Sequence, residues 1–408
     1  MNRSLYAGLS GTLANQTYID VLANNVANAN TTGYKEGRVT FQDAYYQTLR
    51  GGRGGDVAGP GGIDPAQVGS GVAVGQVQTV HTQGALRYTG SPLDAAIEGP
   101  GMFVLQDRER SLYTRDGSFS LDDTHTLVSS GSGLKVMGWL AQEGVVNTSG
   151  APSALVFPLG QVRAGVATSN VTARGNLDAS LLAGETQHAT ISVYDSLGNL
   201  HETVLTFTKS ATANQWTCTA QLGASSASTN LTFDPDNGAL TAGSPLELSA
   251  DLSTGAASPL VFRIDLSEVT QLAESGSSVR LVSQDGKPSA ILRGVSIIEG
   301  GDIQGEYSDG HVEVLGRLAV ANFGNVGGLV RAGNNLYQAG ANSGELDIGA
   351  AGIASRGQIR SRSLENSNVD LTRSFVEIMT AQRGFQASTR VISAANRLLD
   401  DLMQLQIS

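Results

Sequence analysis

Cysteine is all but missing from this sequence. Cys218 stands alone among 408 residues, which excludes an internal disulfide framework. It lies in Gln215-Trp216-Thr217-Cys218-Thr219, whose alternation reads as a strand, and no basic neighbour is there to activate the thiol, so a buried structural cysteine is expected. Positive charge is also short, with 26 Lys and Arg against 37 Asp and Glu and a net charge of −11. That balance excludes nucleic acid as a partner, because such binding rests on cations that displace counterions. No apolar run approaches the roughly 18 residues of a membrane span, so no membrane insertion is expected. The first residues lack the basic start and continuous apolar stretch of a cleaved secretory signal, which implies a chain that stays in the cytosol or is exported without cleavage.

Catalytic patterns are missing too. There is no phosphate-binding loop and no Gly-x-Ser-x-Gly elbow. His81, His125, His188, His201 and His311 are scattered without metal spacing. Asp234-Pro235-Asp236-Asn237-Gly238 imitates the start of a calcium loop, but its twelfth position is Pro245 instead of Glu, so it reads as a turn. Asp122-Asp123 falls in a predicted loop with no acid/base environment around it. No catalytic, cofactor-binding or metal-binding residue is assigned, and the chain reads as a non-enzyme.

What is present is glycine, at 51 residues, together with only 5% aromatic and 15% charged residues, a texture suited to short strands joined by tight turns. Against it stand two apolar patterns in steps of four and three, one at each end. Leu5, Leu9, Thr12, Gln16, Ile19, Ala23 and Val26 form the first. Leu371, Phe375, Ile378, Gln382, Phe385, Thr389, Ile392, Asn396, Leu399, Met403 and Gln406 form the second. Each predicts a long helix, of about 30 Å and about 50 Å respectively, with one stripe held against a partner. Leu398, Leu402 and Leu405 add a second stripe, and Leu13 and Leu22 lie off the first seam. Two readings stay open: a terminal hairpin docked on its own core, or a self-assembly surface, since large exposed apolar area marks association.

The fold class is accordingly mainly β with paired N- and C-terminal helices, a terminal coiled-coil domain and nested β domains. Residues 1–30 and 365–408 form the helical domain. Residues 31–75 read as an extended arm and glycine-rich linker, with Gly59-Pro60-Gly61-Gly62 and Asp64-Pro65 as breakers. Residues 76–144 and 291–364 make an inner β domain, with strand-like runs at Met102–Leu105, Leu112–Thr114 and Leu134–Leu140. Residues 145–290 form an outer β insertion, where two runs flanking Asp195-Ser196-Leu197-Gly198-Asn199 predict a hairpin. Ser367 or Asn368 is expected to cap the last helix, with Asp370 near its positive end.

The run Ala23-Asn24-Asn25-Val26-Ala27-Asn28-Ala29-Asn30-Thr31-Thr32-Gly33-Tyr34-Lys35 closely resembles the N-terminal motif of bacterial flagellar rod and hook proteins. At the other end, Leu364-Glu365-Asn366-Ser367-Asn368-Val369-Asp370-Leu371 and Thr380-Ala381-Gln382-Arg383-Gly384-Phe385-Gln386-Ala387 resemble the C-terminal motif, with Gly384-Phe385 where the family more often has Ala-Tyr. The length and the middle are similar to the hook branch. Ser192–Asn199 resembles the start of its outer domain, and Gly305–Gly310 followed by Leu315–Phe323 resembles its return segment. Gly61–Val72 looks like a stretch of distal rod proteins and some longer hook proteins, where it goes with stiffness, so a rod-like drive shaft is the alternative.

This resemblance implies a structural subunit of the bacterial flagellar hook. It would leave through the flagellar export apparatus without a cleaved signal and polymerise with itself outside the cell into a helical tube. Distal rod proteins, hook–filament junction proteins and the hook cap would be its partners, and the tube would pass motor torque as a universal joint. A non-flagellar β-rich surface protein is the reading from outside the family. The expected self-assembly interface is Leu5, Leu9, Ile19, Val26, Leu371, Phe375, Ile378, Phe385, Ile392, Leu399 and Met403. The family motif comprises Asn24, Asn25, Asn28, Gly33, Tyr34, Lys35, Ser367, Asn368, Val369, Asp370, Gln382 and Arg383.

Overall fold

The computed structural model of the chain describes residues 3–54, 62–108, 110–142, 144–273 and 278–405, the side chains of residues 402, 404 and 405 excepted. The chain is mainly β, with one long helix near each end: α1 (Arg3–Ala27) and α2 (Leu371–Leu405). It divides into two compact units.

The second unit comprises Pro158–Gly294 and Gly305–Val312. Several of its strands alternate between covered and open positions, as in Leu246–Ala250, because successive side chains point to opposite faces. Five antiparallel strands run in chain order from Thr186–Tyr194 to Leu240–Ala242. Four more form a sheet in the order Leu246–Ala250, Leu260–Leu272, Asn170–Asp178 and Arg280–Gln284, the middle two parallel to each other. Their inward rows share one core containing Phe207, Trp216, Phe233 and Phe262. Cys218 sits in that core as a free thiol, and burial pushes its pKa up to about 12, which makes it inert. The predicted hairpin is Thr186–Tyr194 with Leu200–Lys209. Asp234 and Asn237 spend their side chains on the backbone of their own turn, accepting from the Asp236 and Ala239 amides.

The first unit holds Met1–Phe157, Val295–Gln304 and Glu313–Ser408. Here Met102–Asp107 pairs with Arg110–Thr114, with Lys135–Gln142 and with Val320–Phe323. The sheet closes over Met102, Tyr113, Trp139 and Phe323, with the Tyr113 and Phe323 rings edge to face at 4.8 Å. Residues 145–157 belong to this unit and not to the outer insertion expected from 145. Ser153–Ala154 pairs with Lys135–Gln142, and Leu155 and Phe157 are buried.

Residues 31–75 are also more structured than an extended arm. Strands β1 (Gly37–Asp43), β2 (Tyr46–Arg50), β3 (Ala66–Gly69) and β4 (Val72–Thr79) form two ribbons, β1 against β4 and β2 against β3. Glycine-rich composition hid them, because the β-formers are spread thinly and two strands each lack a covered face. Gly59, Pro60 and Gly61 of the predicted linker lie outside the described residues.

Candidate assembly site

The motif residues at the two ends of the chain meet in one polar knot within the first unit. Asn25, buried near the end of α1, donates to the Gly37 carbonyl and accepts from the Gly37 amide, both at 2.8 Å. It thereby does for β1 what a neighbouring strand would. Its Oδ1 also accepts from the Tyr34 hydroxyl at 3.1 Å, and Asn24 donates to that same hydroxyl. Asn28 folds back onto Asn24 and accepts from Thr31, closing the helix end. Gly33 has φ +69°, and a Cβ there would stand 2.7 Å from the Asp116 amide nitrogen, so only glycine fits this turn.

Charge enters at Lys35, which reaches Glu365 at 2.5 Å with both groups buried. Two antiparallel ladders bring Glu365 there: Leu86–Tyr88 with Ser363–Glu365, and Ala95–Glu98 with Gln358–Ser361. The same carboxylate takes Arg115 at 3.3 Å and the Gly84 amide at 2.8 Å. Burial holds the Lys35 ammonium below its ordinary pKa, with the Glu365 charge opposing that shift.

Asn368 accepts from the Glu36 amide at 2.7 Å and donates to Val80 and Thr82. It is thus committed to the arm and does not cap the helix. The cap of α2 is Asp370, whose carboxylate accepts from the Arg373 amide at 3.1 Å. Ser367 supports the approach by accepting from the Val369 amide. Gln382 and Arg383, the remaining motif positions, are exposed on α2.

From this knot the helices run antiparallel. Tyr18 donates to Glu377 at 3.1 Å, and Asn15 faces Gly384, Gly11 faces Ser388 and Gly8 faces Ile392. A Cβ on Gly8 would come within 2.8 Å of Ile392 Cγ1, so the helices approach through small residues.

That contact is rotated from the expected seam. On α2 the covered stripe is Ser374, Ile378, Ala381, Phe385, Ser388, Ile392 and Ala395; on α1 the buried positions are Gly8, Gly11, Ala14, Leu22 and Asn25. Ile378, Phe385 and Ile392 belong to both the covered and the predicted stripes. The other described positions of the predicted α2 stripe are exposed: Leu371, Phe375 at 53%, Gln382, Thr389, Asn396, Leu399 and Met403 at 63%. On α1, Leu5, Ile19 and Val26 are half-buried and Leu9 is exposed, as are Tyr6 and Leu13. Leu22, expected off the seam, is buried. Leu398 is 60% exposed; Gln406 and the side chains of Leu402 and Leu405 lie outside the described residues.

Apolar counting missed this because glycine, serine and alanine carry little hydropathy. A readable trace existed in Gly8-x-x-Gly11-x-x-Ala14 and in Ser374, Ala381, Ser388 and Ala395 at seven-residue steps. Arg115 and Glu365 gave no comparable signal of their meeting, since each is a single charge, one just after a strand and the other at a strand end, far apart in the chain.

Known proteins share this architecture. Residues 5–35 match the family described as flagella basal body rod protein, residues 96–178 the flagellar hook protein FlgE/F/G D1 domain, residues 168–287 the flagellar basal body protein FlaE D2 domain, and residues 360–405 the flagellar basal body rod FlgEFG protein C-terminal family. The flagellar hook protein FlgE of Treponema pallidum is 36% identical over all of both chains. That of Salmonella typhimurium is 29% identical over 99% of this chain and 100% of its own. The flagellar basal-body rod protein FlgG of Bacillus subtilis is 28% identical over 100% of each. In fold, the crystal structure of Helicobacter pylori flagellar hook protein FlgE2 superposes with a TM-score of 0.51 at 16% identity, covering 69% of this chain and 99% of that one. An identity of 36% across the full length, with hook and rod domains recognised from residue 5 to residue 405, shows that the chain belongs to the flagellar hook protein family.

Proposed function

We propose that this hook subunit polymerises by burying, between copies, the apolar rows that its own helix pair leaves outside. The observation that carries the reading is the split stripe of α2: Ile378, Phe385 and Ile392 face α1, while Phe375, Leu399 and Met403 stand open beside them. A second helix laid along that open edge would turn the antiparallel pair into a multi-helix coiled coil. One surface then meets a different surface on the next copy, and such head-to-tail contacts that do not close generate a helical tube. The β units, nested in sequence between the helices, would face outward. The tube would join rod to filament as a universal joint, contacting distal rod, junction and cap proteins. The chain would reach the outside of the cell through the flagellar export apparatus.

The rod-like alternative has one observation in its favour. The β2–β3 ribbon includes part of the stretch that resembles distal rod proteins, and it exposes Tyr46, Leu49 and Val68. A ribbon seated on a neighbour would stiffen the tube.

Electron microscopy of the purified chain under polymerising conditions tests the main reading. Hollow tubes are expected from the wild-type chain and from Asp123→Asn, and dispersed particles from Leu399→Asp with its β signature intact. Tubes from Leu399→Asp at the wild-type concentration would remove the open stripe from the contact.

A further inference from the structure

Within the first unit, beside the polar knot, lies a cavity of about 100 Å³ lined by His81, Pro100, Met102, Arg115, Phe323 and Val326. Its electrostatics are unbalanced. Lys35 and Arg115 are both buried and share the single carboxylate of Glu365, and no other carboxylate forms an ion pair with either among the described residues. Arg331 adds a third cation nearby, donating to the Lys35 carbonyl and lying over the Tyr34 ring. A buried positive charge is therefore left without a counter-charge, a costly state in a low-dielectric interior.

One buried nitrogen at the same cavity has spare capacity, and a buried guanidinium stands in the same lining. Arg115 lines the cavity and gives its Nη groups to the carbonyls of Ile97 and Gly99 and to Glu365. His81 Nδ1 is buried and has no hydrogen-bond partner among the described residues. Both side chains line one space, whose other walls are largely apolar.

We infer that this cavity binds a small monovalent anion, a halide or a carboxylate of formate to acetate size, between His81 Nδ1–H and the Arg115 guanidinium. The anion supplies the missing counter-charge and the missing acceptor together. Burial, with Lys35, Arg115 and Arg331, holds His81 near pKa 4, so the ring is neutral at physiological pH, donates to the anion in its Nδ1–H tautomer, and leaves the charge to Arg115. The volume is below that of an engineered cavity of about 150 Å³ that takes benzene, so a large hydroxylated anion such as gluconate is excluded. The apolar walls of Met102 and Phe323 favour weakly hydrated ions, bromide over fluoride.

The site ties together segments that the knot already joins: the loop after β4, the turn that follows Arg110–Thr114 and carries Arg115, and the return strand Val320–Phe323. Occupancy should stabilise the whole first unit by mass action.

The test uses the full chain in sodium gluconate, with bromide exchanged in at constant ionic strength. The His81 imidazole ¹⁵N resonance, identified by its loss in His81→Gln, should shift along a saturable curve, and the thermal transition of the first unit should rise by several degrees. Fluoride should do markedly less. His81→Gln should fold and lose most of the saturable stabilisation. A resonance that does not move with bromide, or that drifts linearly without saturation, would mean that water alone fills the cavity and would overturn the inference. The wild-type titration decides the matter even if His81→Gln does not fold.

Discussion

In the sandwich of Pro158–Gly294 and Gly305–Val312 the phenylalanines and the tryptophan point inward, whereas in the pair of helices α1 and α2 many large apolar side chains point out. Phe207, Trp216 and Phe262 are fully covered; Phe375, Leu398 and Met403 are more than half exposed. The sandwich is complete as one chain, because two sheets cover each other's apolar faces. The helix pair makes much of its internal contact with glycine, serine and alanine and leaves several large apolar groups exposed. On the proposed reading, that difference separates a part whose core is closed within the chain from a part that neighbours would finish, and either side of it can be strained by substitution.

The largest effect should come from hollowing the sandwich. Phe207→Ala removes a fully buried ring and should cost about 3–5 kcal/mol of that unit's stability. The molecule has one tryptophan in each unit, Trp139 and Trp216, so fluorescence of single-tryptophan variants reads the two separately. The Trp216 transition should collapse while the Trp139 transition and helical ellipticity stay put. A matching loss at Trp139 would mean that the two units do not stand apart energetically.

Next come charges on the open face of α2. Leu398→Asp with Met403→Asp alters exposed positions only, so monomer stability should change by no more than about 0.5 kcal/mol. In a polymer the same charges would be buried without partners in every subunit. The critical concentration should rise at least about tenfold, equivalent to roughly 1.4 kcal/mol or more per contact. Sedimentation at a series of concentrations measures this. Equal damage to monomer and polymer would erase the contrast between the two regions.

Much of this contrast is legible in the order of the residues alone. Apolar periodicity locates both helices, but α2 begins two to three residues later than expected, because Asp370 and not Ser367 or Asn368 supplies the cap to its first turn. Alternation locates the hairpin around Asp195 and the covered Cys218. What stays hidden are contacts made without hydropathy: the small-residue stripe through Ser374 and Ala381, and the convergence of Lys35, Arg115 and Glu365 from segments far apart in the chain. The arm ribbons stay hidden as well, since their glycine and glutamine content resembles a linker when no covered face marks the pleat.

Acid should separate the two units. His81, in the first, is held near pKa 4 against an ordinary 6.5, chiefly by burial and then by Lys35, Arg115 and Arg331. The unfolded chain therefore takes up this proton first. The contribution is fully present above pH 6.5 and is lost as pH falls toward 4, on the order of 1 kcal/mol once solvent screening is allowed for. Asp195, in the second unit, behaves oppositely. Burial pushes its carboxyl up, but hydrogen bonds from His201, Asn199 and Leu197 outweigh that and hold it below the ordinary carboxylate value. Its contribution persists until pH falls below about 3.8. In gluconate buffer, chemical denaturation followed through Trp139 should weaken between pH 6.5 and 4, while that through Trp216 holds. His81→Gln should flatten the first profile, and parallel profiles would contradict the assignment.

The smallest effect tests whether small residues are what set the helix pair. Gly8→Ala gains up to about 1 kcal/mol of helix propensity. Its Cβ would nevertheless meet Ile392 Cγ1 at 2.8 Å and the Ser388 carbonyl at 3.2 Å, and such overpacking costs about 1–3 kcal/mol. The net result in the wild-type background should be a loss of about 0.5–1 kcal/mol. Ile392→Ala deletes the obstructing Cγ1 and leaves only the milder approach to Ser388. In that background Gly8→Ala should be neutral or stabilising, giving a coupling of about 1 kcal/mol between residues far apart in sequence. Urea titrations followed by far-ultraviolet ellipticity supply all four corners of the cycle. Simple additivity would mean that the helices do not meet through Gly8 and Ile392. The exposure of Phe375, Leu399 and Met403 would then lose its explanation, because those residues stand open only if the small stripe is the one that faces α1.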